Sequence, residues 1–153
     1  MFTSTEVTES QYKQMQYEVK EKIITARVGL LLRHPWFGNM STRLQLVESD
    51  DWCPTAATDG RTLYYNVQFM NSLDIAEIEF VVAHEILHCA FDHIIRVGDR
   101  IKMLYNIACD YLVNNVLVRD KIGKAPSKIK IYQDFQYNGW TSEEVYDLSL
   151  IHI

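Results

Sequence analysis

Apolar residues recur at helical spacing in three long stretches of the chain. The first runs from Glu9 to Leu32, where apolar positions form one face with charged residues between them. The second, Ile75 to Leu87, is apolar on most sides and predicts a buried core helix that begins with a capping box of Asp74 and Glu77. The third runs from about Ile101 to Val118. These stretches predict three long helices.

Shorter β-type patterns lie between the first two helices. After a break at "RHPWFGNM", the run "STRLQLVES" alternates like a strand, and "RTLYYNVQF" is rich in residues that favour strands. The segment "DDWCPTAATDG" between them is predicted as a loop that ends in the turn pair Asp59-Gly60. Near the C-terminus, Thr141 and Glu144 are spaced as a second capping box that begins a short helix. We therefore predict an α+β fold with a small β-hairpin or meander.

Length and composition predict one globular domain, residues 1–153. Of the 153 residues, 48% are hydrophobic and 23% charged, which allows a sizeable core. The net charge of -5 argues against a broad basic surface, so we expect no nucleic-acid partner and interpret "RDKIGKAPSKIKIY" as a solvated loop. The three cysteines are widely spaced, no apolar signal segment is present, and no apolar run approaches ~18 residues. We expect a cytoplasmic protein without disulfides or a membrane span.

The stretch "FVVAHEILHCAFDH" contains an H-E-x-x-H pattern inside the second predicted helix. His84 and His88 are four residues apart, so both rings project from one helix face and can bind one metal at about 2.0–2.1 Å. Glu85 is rotated by about 100° and can hydrogen-bond a water molecule on that metal. Zinc lowers the pKa of such a water to about 7, and Glu85 would then act as the general base. The alternative is a pair of core histidines bonded to other protein groups, although unpaired polar groups in an apolar helix are costly.

Three residues could complete the metal site. Asp92 lies two turns beyond His84, which favours a supporting role as the partner that orients His88. His93 points away from that face unless the helix ends before it. Asp110 lies 22 residues after His88 on the next predicted helix, which could fold back and supply a carboxylate to a site of two histidines and one acid.

The spacing around Asp110 also allows a different interpretation. Lys102, Asn106, Asp110 and Asn114 are spaced by four and could form a solvent-exposed helix face. Equally, Asn106 and Asn114 lie one turn on either side of Asp110 and could be neighbours of the site. The residues alone leave both possibilities open.

In the order in which they occur, five segments resemble a known family: "ARVGLLLRHPWFG", "TAATDGRTLYYNVQFM", "FVVAHEILHCAFDH", "YNIACDYLVNN" and "GWTSEEVYDL". The family consists of metallopeptidase domains found N-terminal to von Willebrand factor A-like domains in bacterial and phage proteins, and it is similar to zincins of the gluzincin and aspzincin kind. The resemblance implies a zincin-like fold with one Zn²⁺ per chain, in which His84, His88 and Asp110 are ligands and Glu85 is the catalytic base. The chain stops soon after "EEVYDLSL", so we expect the family's second domain to be absent.

The resemblance also suggests where a substrate would lie. In zincins, an edge strand before the H-E-x-x-H helix often pairs with an extended substrate, so Tyr64, Tyr65 and Asn66 are candidates to line a cleft. The alternative is that they are ordinary core and edge residues. Peptide hydrolysis also needs a donor for the developing oxyanion. For this role, or for other contacts close to the metal, the candidates are Asp92, Asn106, Tyr111, Tyr132, Tyr137 and Tyr146.

Two functions follow from these predictions. The first is a zinc-dependent metallopeptidase whose partner is a peptide or protein substrate. The second is a catalytically silent, zincin-like binding or scaffold module with a structural metal, which a closed four-ligand site would favour. We interpret Cys53 and Cys89 as buried structural cysteines rather than ligands.

Overall fold

A computed structural model describes residues 8–151 of the chain. It confirms the α+β fold, because helices surround a small mixed sheet. The helices are α1 Glu9–Arg33, α2 Pro35–Thr42, α3 Val67–Asn71, α4 Ile75–Ala90, α5 His93–Arg96, α6 Lys102–Arg119 and α7 Ser142–Ile151. The strands are β1 Gln45–Glu48, β2 Ala56–Thr58 and β3 Thr62–Tyr65, and a short 3-10 turn spans Phe135–Tyr137.

Two helices, α4 and α7, begin at the predicted capping boxes. Asp74 accepts a hydrogen bond from the backbone of Glu77, whose side chain returns one to the backbone of Asp74, so the predicted capping box opens α4. Thr141 and Glu144 exchange the same pair of bonds at 3.2 Å each before α7. These bonds satisfy backbone N–H groups that the first helical turn leaves without partners.

The sheet has the order β1-β3-β2, with β1 parallel and β2 antiparallel to β3. The loop prediction is wrong for β2, because its backbone hydrogen bonds come from pairing with β3 and three residues are too few to show alternation. The predicted turn at Asp59-Gly60 joins the two strands. One carboxylate oxygen of Asp59 accepts hydrogen bonds from two backbone N–H groups, and Gly60 adopts a φ of 95°.

Two short helices were not predicted: α2 lies where a break was expected, and α3 lies where the second strand was expected to continue. Pro35 is the first residue of α2, where its missing N–H costs nothing, so the helix continues to Thr42 and β1 is shorter than predicted. After Tyr65 the chain turns into α3, because the side chain of Asn66 caps the backbone N–H of Phe69. The predicted strand "RTLYYNVQF" therefore ends at Tyr65.

The core forms around α4, which packs against α1 and α2 and against α6 and β2. The helix α1 contributes Val19, Ile23, Ala26 and Leu30, which are fully buried at spacings of three and four. A second cluster joins α6 to α7. Within residues 8–151, we find no helix with both the length and the apolar character needed to cross a membrane.

The chain after α6, residues 120–134, is not simply the solvated loop that its lysines predicted. Lys124, Lys128 and Lys130 are exposed, but Ile122 and Pro126 are buried. The backbone N–H of Lys124 donates to the carbonyl of Ala76 at the start of α4. We call residues 120–134 the strap, because they run from the end of α6 across α4 and return to α6 beside the candidate site.

Candidate metal centre

The candidate metal centre is a triangle of three side-chain atoms on two helices. On α4, the Nε2 atoms of His84 and His88 lie 2.9 Å apart. On α6, which packs against α4, Oδ1 of Asp110 lies 3.2 Å from Nε2 of His84 and 2.9 Å from Nε2 of His88. The structure therefore brings together the two histidines of the motif and the aspartate 22 residues later.

His84 is oriented by a buried asparagine behind it. Nδ1 of His84 lies 2.8 Å from Oδ1 of Asn114, and the side-chain amide of Asn114 donates to the carbonyl of Tyr132 in the strap at 2.9 Å. An amide oxygen only accepts, so Nδ1 of His84 carries the hydrogen and its Nε2 presents a lone pair to the triangle. Of the two asparagines considered from the sequence, only Asn114 approaches the site, since Asn106 is exposed.

His88 is oriented by His93, which the sequence suggested would point away. The helix α4 ends at Ala90, and Asp92 takes a left-handed conformation with a φ of 54°, which turns His93 back toward α4. Nδ1 of His93 lies 3.0 Å from Nδ1 of His88. The supporting role predicted for Asp92 is therefore wrong, because the break leaves Asp92 exposed and puts His93 beside the ring.

The carboxylates and imidazoles of the site shift one another's pKa values. Burial opposes ionisation of Asp110, but the neighbouring imidazoles of His84 and His88 outweigh it and hold the pKa of Asp110 well below its usual range. For His84, burial lowers the pKa, but Asp110 and Glu85 together outweigh that effect and raise it. Burial raises the pKa of Glu85, partly offset by the two histidines. Burial, with the nearby charges of His88 and Arg96, lowers the pKa of His93 to about 4.

A cavity of about 180 Å³ opens on one side of the triangle, and Glu85 forms part of its wall. His84, Glu85 and Asp110 share its wall with the strap and with the start of β2. The apolar part of this wall includes Ala56, Phe69, Phe80, Val81, Ile129 and Ile131. Glu85 therefore faces the same space as two of the three candidate ligands, His84 and Asp110.

The three groups fit a divalent metal ion. Their candidate ligand atoms all lie within 4.8 Å of one another. Two imidazole nitrogens and one carboxylate oxygen form a donor set that zinc uses, and catalytic zinc sites combine three protein ligands with one open position. The cavity provides that open side, and the hydrogen bond to Asn114 directs one ring nitrogen inward. Nitrogen and oxygen donors also suit other first-row divalent metals.

The residues proposed for a substrate cleft lie elsewhere. Tyr65 is 2% exposed in the core, Asn66 caps α3, and the hydroxyl of Tyr64 donates to Asp59. They cannot provide an open sheet edge for a substrate, because β3 is the central strand of the sheet. The strand beside the site is β2, which packs against α4.

The tyrosines considered as oxyanion donors lie in different surroundings. The ring of Tyr111 packs against Tyr132 and Tyr137, with centroids 5.5 and 5.1 Å away. The hydroxyl of Tyr146 accepts the backbone N–H of Ile101 at 2.8 Å. Among these tyrosines, Tyr132 is the one that lines the cavity with Glu85.

The cysteines are free thiols outside the triangle. Cys53 and Cys109 are buried, and Cys89 is partly buried and donates to the hydroxyl of Thr58 at 3.6 Å. Burial raises the pKa of all three, and that of Cys109 to about 11. Neutral thiols of this kind behave as small apolar side chains.

Comparison with known proteins gives one match. The family described as "Putative metallopeptidase domain" matches residues 18–149, which include the whole candidate centre. Neither the curated proteins nor the solved structures contain a match to this chain.

Proposed function

The chain belongs to this family of metallopeptidase domains, and on that premise we propose that it is a zinc-dependent hydrolase of peptide bonds. One observation carries the proposal: Glu85 lines the same cavity as two candidate zinc ligands, His84 and Asp110. A carboxylate that faces the open side of such a donor set is placed to act on a water molecule there.

In this proposal, the residues divide into ligands and a base. Nε2 of His84, Nε2 of His88 and the carboxylate of Asp110 hold the ion. When bound, zinc supplies a Lewis acid that lowers the pKa of water and polarises a carbonyl. Glu85 removes a proton from the attacking water and passes it to the leaving amine. Tyr132 is the proposed donor to the developing oxyanion, since it lines the cavity and belongs to the strap that Asn114 anchors.

The substrate we propose is an extended peptide with an apolar side chain next to the scissile bond. Only one side of β2 pairs with another strand within residues 8–151, so Ala56–Thr58 can add an extended peptide by β-augmentation. The cavity of about 180 Å³, whose wall is apolar in part, would take one side chain. An apolar cavity of about 150 Å³ accommodates benzene, so a leucine or phenylalanine side chain is of suitable size.

The test combines zinc content with peptide cleavage. We expect wild type to hold one zinc per chain and to cleave a mixed peptide library, measured by mass spectrometry. Glu85→Gln should retain the zinc and lose hydrolysis by at least about 10²-fold, because only the base is removed. Asp110→Asn should lose zinc, whereas Asp92→Asn, an exposed acid beyond α4, should keep both zinc and activity.

The outcomes separate the two functions considered from the sequence. Zinc-free wild-type protein after purification and reconstitution would contradict the metal centre itself. If wild type and Glu85→Gln both hold zinc and neither cleaves any peptide, the chain is a silent module with a structural metal. The open cavity beside Glu85 supports the hydrolase over that alternative, because structural zinc sites are closed by four protein ligands.

A further inference from the structure

A buried hydrogen-bond path connects His88 to the C-terminal helix. From His88, the path runs through Nδ1 of His93 at 3.0 Å, and Nε2 of His93 then lies 3.1 Å from Oγ of Ser142, the first residue of α7. His93 is 5% exposed and Ser142 is fully buried. The path is therefore shielded from solvent, where a hydrogen bond sets the position of a hydrogen most strongly.

We propose that His93 is a positioning residue that keeps the hydrogen of His88 on Nδ1, and so leaves Nε2 of His88 free to bind the metal. A neutral imidazole has one N–H and one acceptor nitrogen, so the facing Nδ1 atoms of His88 and His93 need a single hydrogen between them. When His88 donates it, His93 carries its own hydrogen on Nε2 and donates to the hydroxyl oxygen of Ser142. The inference rests on the proposed metal centre and deepens it.

The opposite arrangement would block the ligand. If His93 donated to His88, the hydrogen of His88 would lie on Nε2, between the ring and Asp110. The hydroxyl of Ser142 fits both arrangements, because it can donate or accept. Only the first arrangement leaves Nε2 of His88 free for a metal, and Ser142 is compatible with it by accepting the Nε2 hydrogen of His93.

The surrounding packing holds the ring of His93 in this position. It has edge contacts with the rings of His88 and Tyr105, with centroids 5.2 and 6.3 Å away. Beside it, Arg96 on α5 makes a two-pronged ion pair with Glu143 on α7, at 3.0 and 2.6 Å. Bidentate pairs of this kind fix geometry as well as charge, so α5 and α7 hold the two ends of the path together.

The experiment compares zinc affinities of two substitutions at one position. His93→Leu preserves the buried volume and removes the acceptor, and should weaken zinc binding about 10- to 100-fold in competition with a chromogenic chelator. His93→Asn keeps an acceptor near the place of Nδ1 and should rescue most of the lost affinity. On α7, Ser142→Ala should weaken zinc binding by a smaller factor, whereas Ser149→Ala, whose hydroxyl donates to the Val145 carbonyl within the same helix, should leave it unchanged.

A second measurement uses the wild-type protein, so its result does not depend on whether a variant folds. Two-dimensional ¹H–¹⁵N correlation of the histidine rings in the zinc-loaded wild type should show the hydrogen of His88 on Nδ1 and the metal on Nε2. A His88 bound through Nδ1, or equal zinc affinities of wild type and a folded His93→Leu, would overturn this inference alone. A wild-type protein without zinc affinity would overturn the proposed function as well.

Discussion

Each histidine of the centre has one nitrogen directed inward and one held from behind. Asn114 holds His84 and His93 lies behind His88, so the orientation of the candidate ligands depends on residues outside the candidate donor set. Such supporting residues typically change metal affinity by about 10- to 100-fold when they are substituted.

Replacing Asn114 by leucine should weaken zinc binding by about 10- to 100-fold, because His84 loses the acceptor that fixes its hydrogen on Nδ1. The matched control is Asn115→Leu. Asn115 also anchors the strap, through bonds to the backbone of Asp134, but the structure gives it no bond to His84. We expect Asn115→Leu to lower the melting temperature while retaining most of the zinc affinity. Equal losses of affinity in the two variants would show that strap anchoring, rather than the bond to His84, is responsible.

The sequence predicted some of these residues and could not predict others. Helical spacing was sufficient to bring His84 and His88 together, and family resemblance favoured Asp110. The position of His93 could not be predicted, because the spacing argument assumed that α4 continued past it. The helix instead ends at Ala90 without a glycine or proline, and Asp92 adopts the left-handed conformation that aspartate tolerates better than most residues.

At the scale of elements, the strap crosses α4 in close contact at Gly123. A Cβ at Gly123 would lie 2.6 Å from the carbonyl oxygen of Ala76 and 2.6 Å from the amide nitrogen of Phe80, and Gly123 has a φ of 62°. Both neighbouring atoms are backbone atoms at the start of α4, which cannot move aside cheaply. The glycine therefore lets the strap cross α4 closely enough to reach the cavity.

Gly123→Ala should lower the free energy of unfolding by about 1–3 kcal/mol more than Gly139→Ala, as measured by urea denaturation. Both glycines have positive φ, so both variants carry the backbone penalty of alanine in that region. A Cβ at Gly139 would meet no atom within 4 Å, and the difference between the variants therefore isolates the contact with α4. Similar losses in both would mean that the strap can move away from α4 without cost.

Elements were predictable where the sequence has a periodic apolar pattern or a capping motif. The helices α1, α4, α6 and α7 follow from apolar spacing or capping boxes, and their ends lie within a few residues of the prediction. By contrast, β2 and α3 contain three and five residues, too few for a pattern to repeat. Pro35 was interpreted as a break, although the first position of a helix also suits proline.

For the molecule as a whole, α4 has different neighbours on its different sides. Toward α1 it is buried in the main core, while the side with the histidines faces α6, β2 and the cavity. The α+β class was predictable because it needs only the kinds of element present. The cavity wall was not, because it combines β2, α4, α6 and the strap, whose proximity depends on the tertiary fold.

Metal removal should be visible in the stability of the whole domain. A ligand at 100 times its Kd stabilises a folded protein by about 2.7 kcal/mol, which for a domain of this size raises the melting temperature by roughly 5–10 °C. We expect this difference between zinc-loaded and chelator-treated protein by scanning calorimetry. His84→Ala should show almost none of it. An undiminished zinc effect in that variant would place the stabilising ion elsewhere.

The path from His88 through His93 to Ser142 also has a consequence for the order of folding. Ser142 lies 49 positions after His93, and Asp110 lies 22 after His88, so the centre joins parts of the chain that are made at different times. Contacts of large sequence separation form late, since loop closure must precede them. The H-E-x-x-H helix can form early, but His88 gains its complete support only when α7 docks. On the proposed function, we therefore expect tight metal binding to develop late in folding, after α7 has docked.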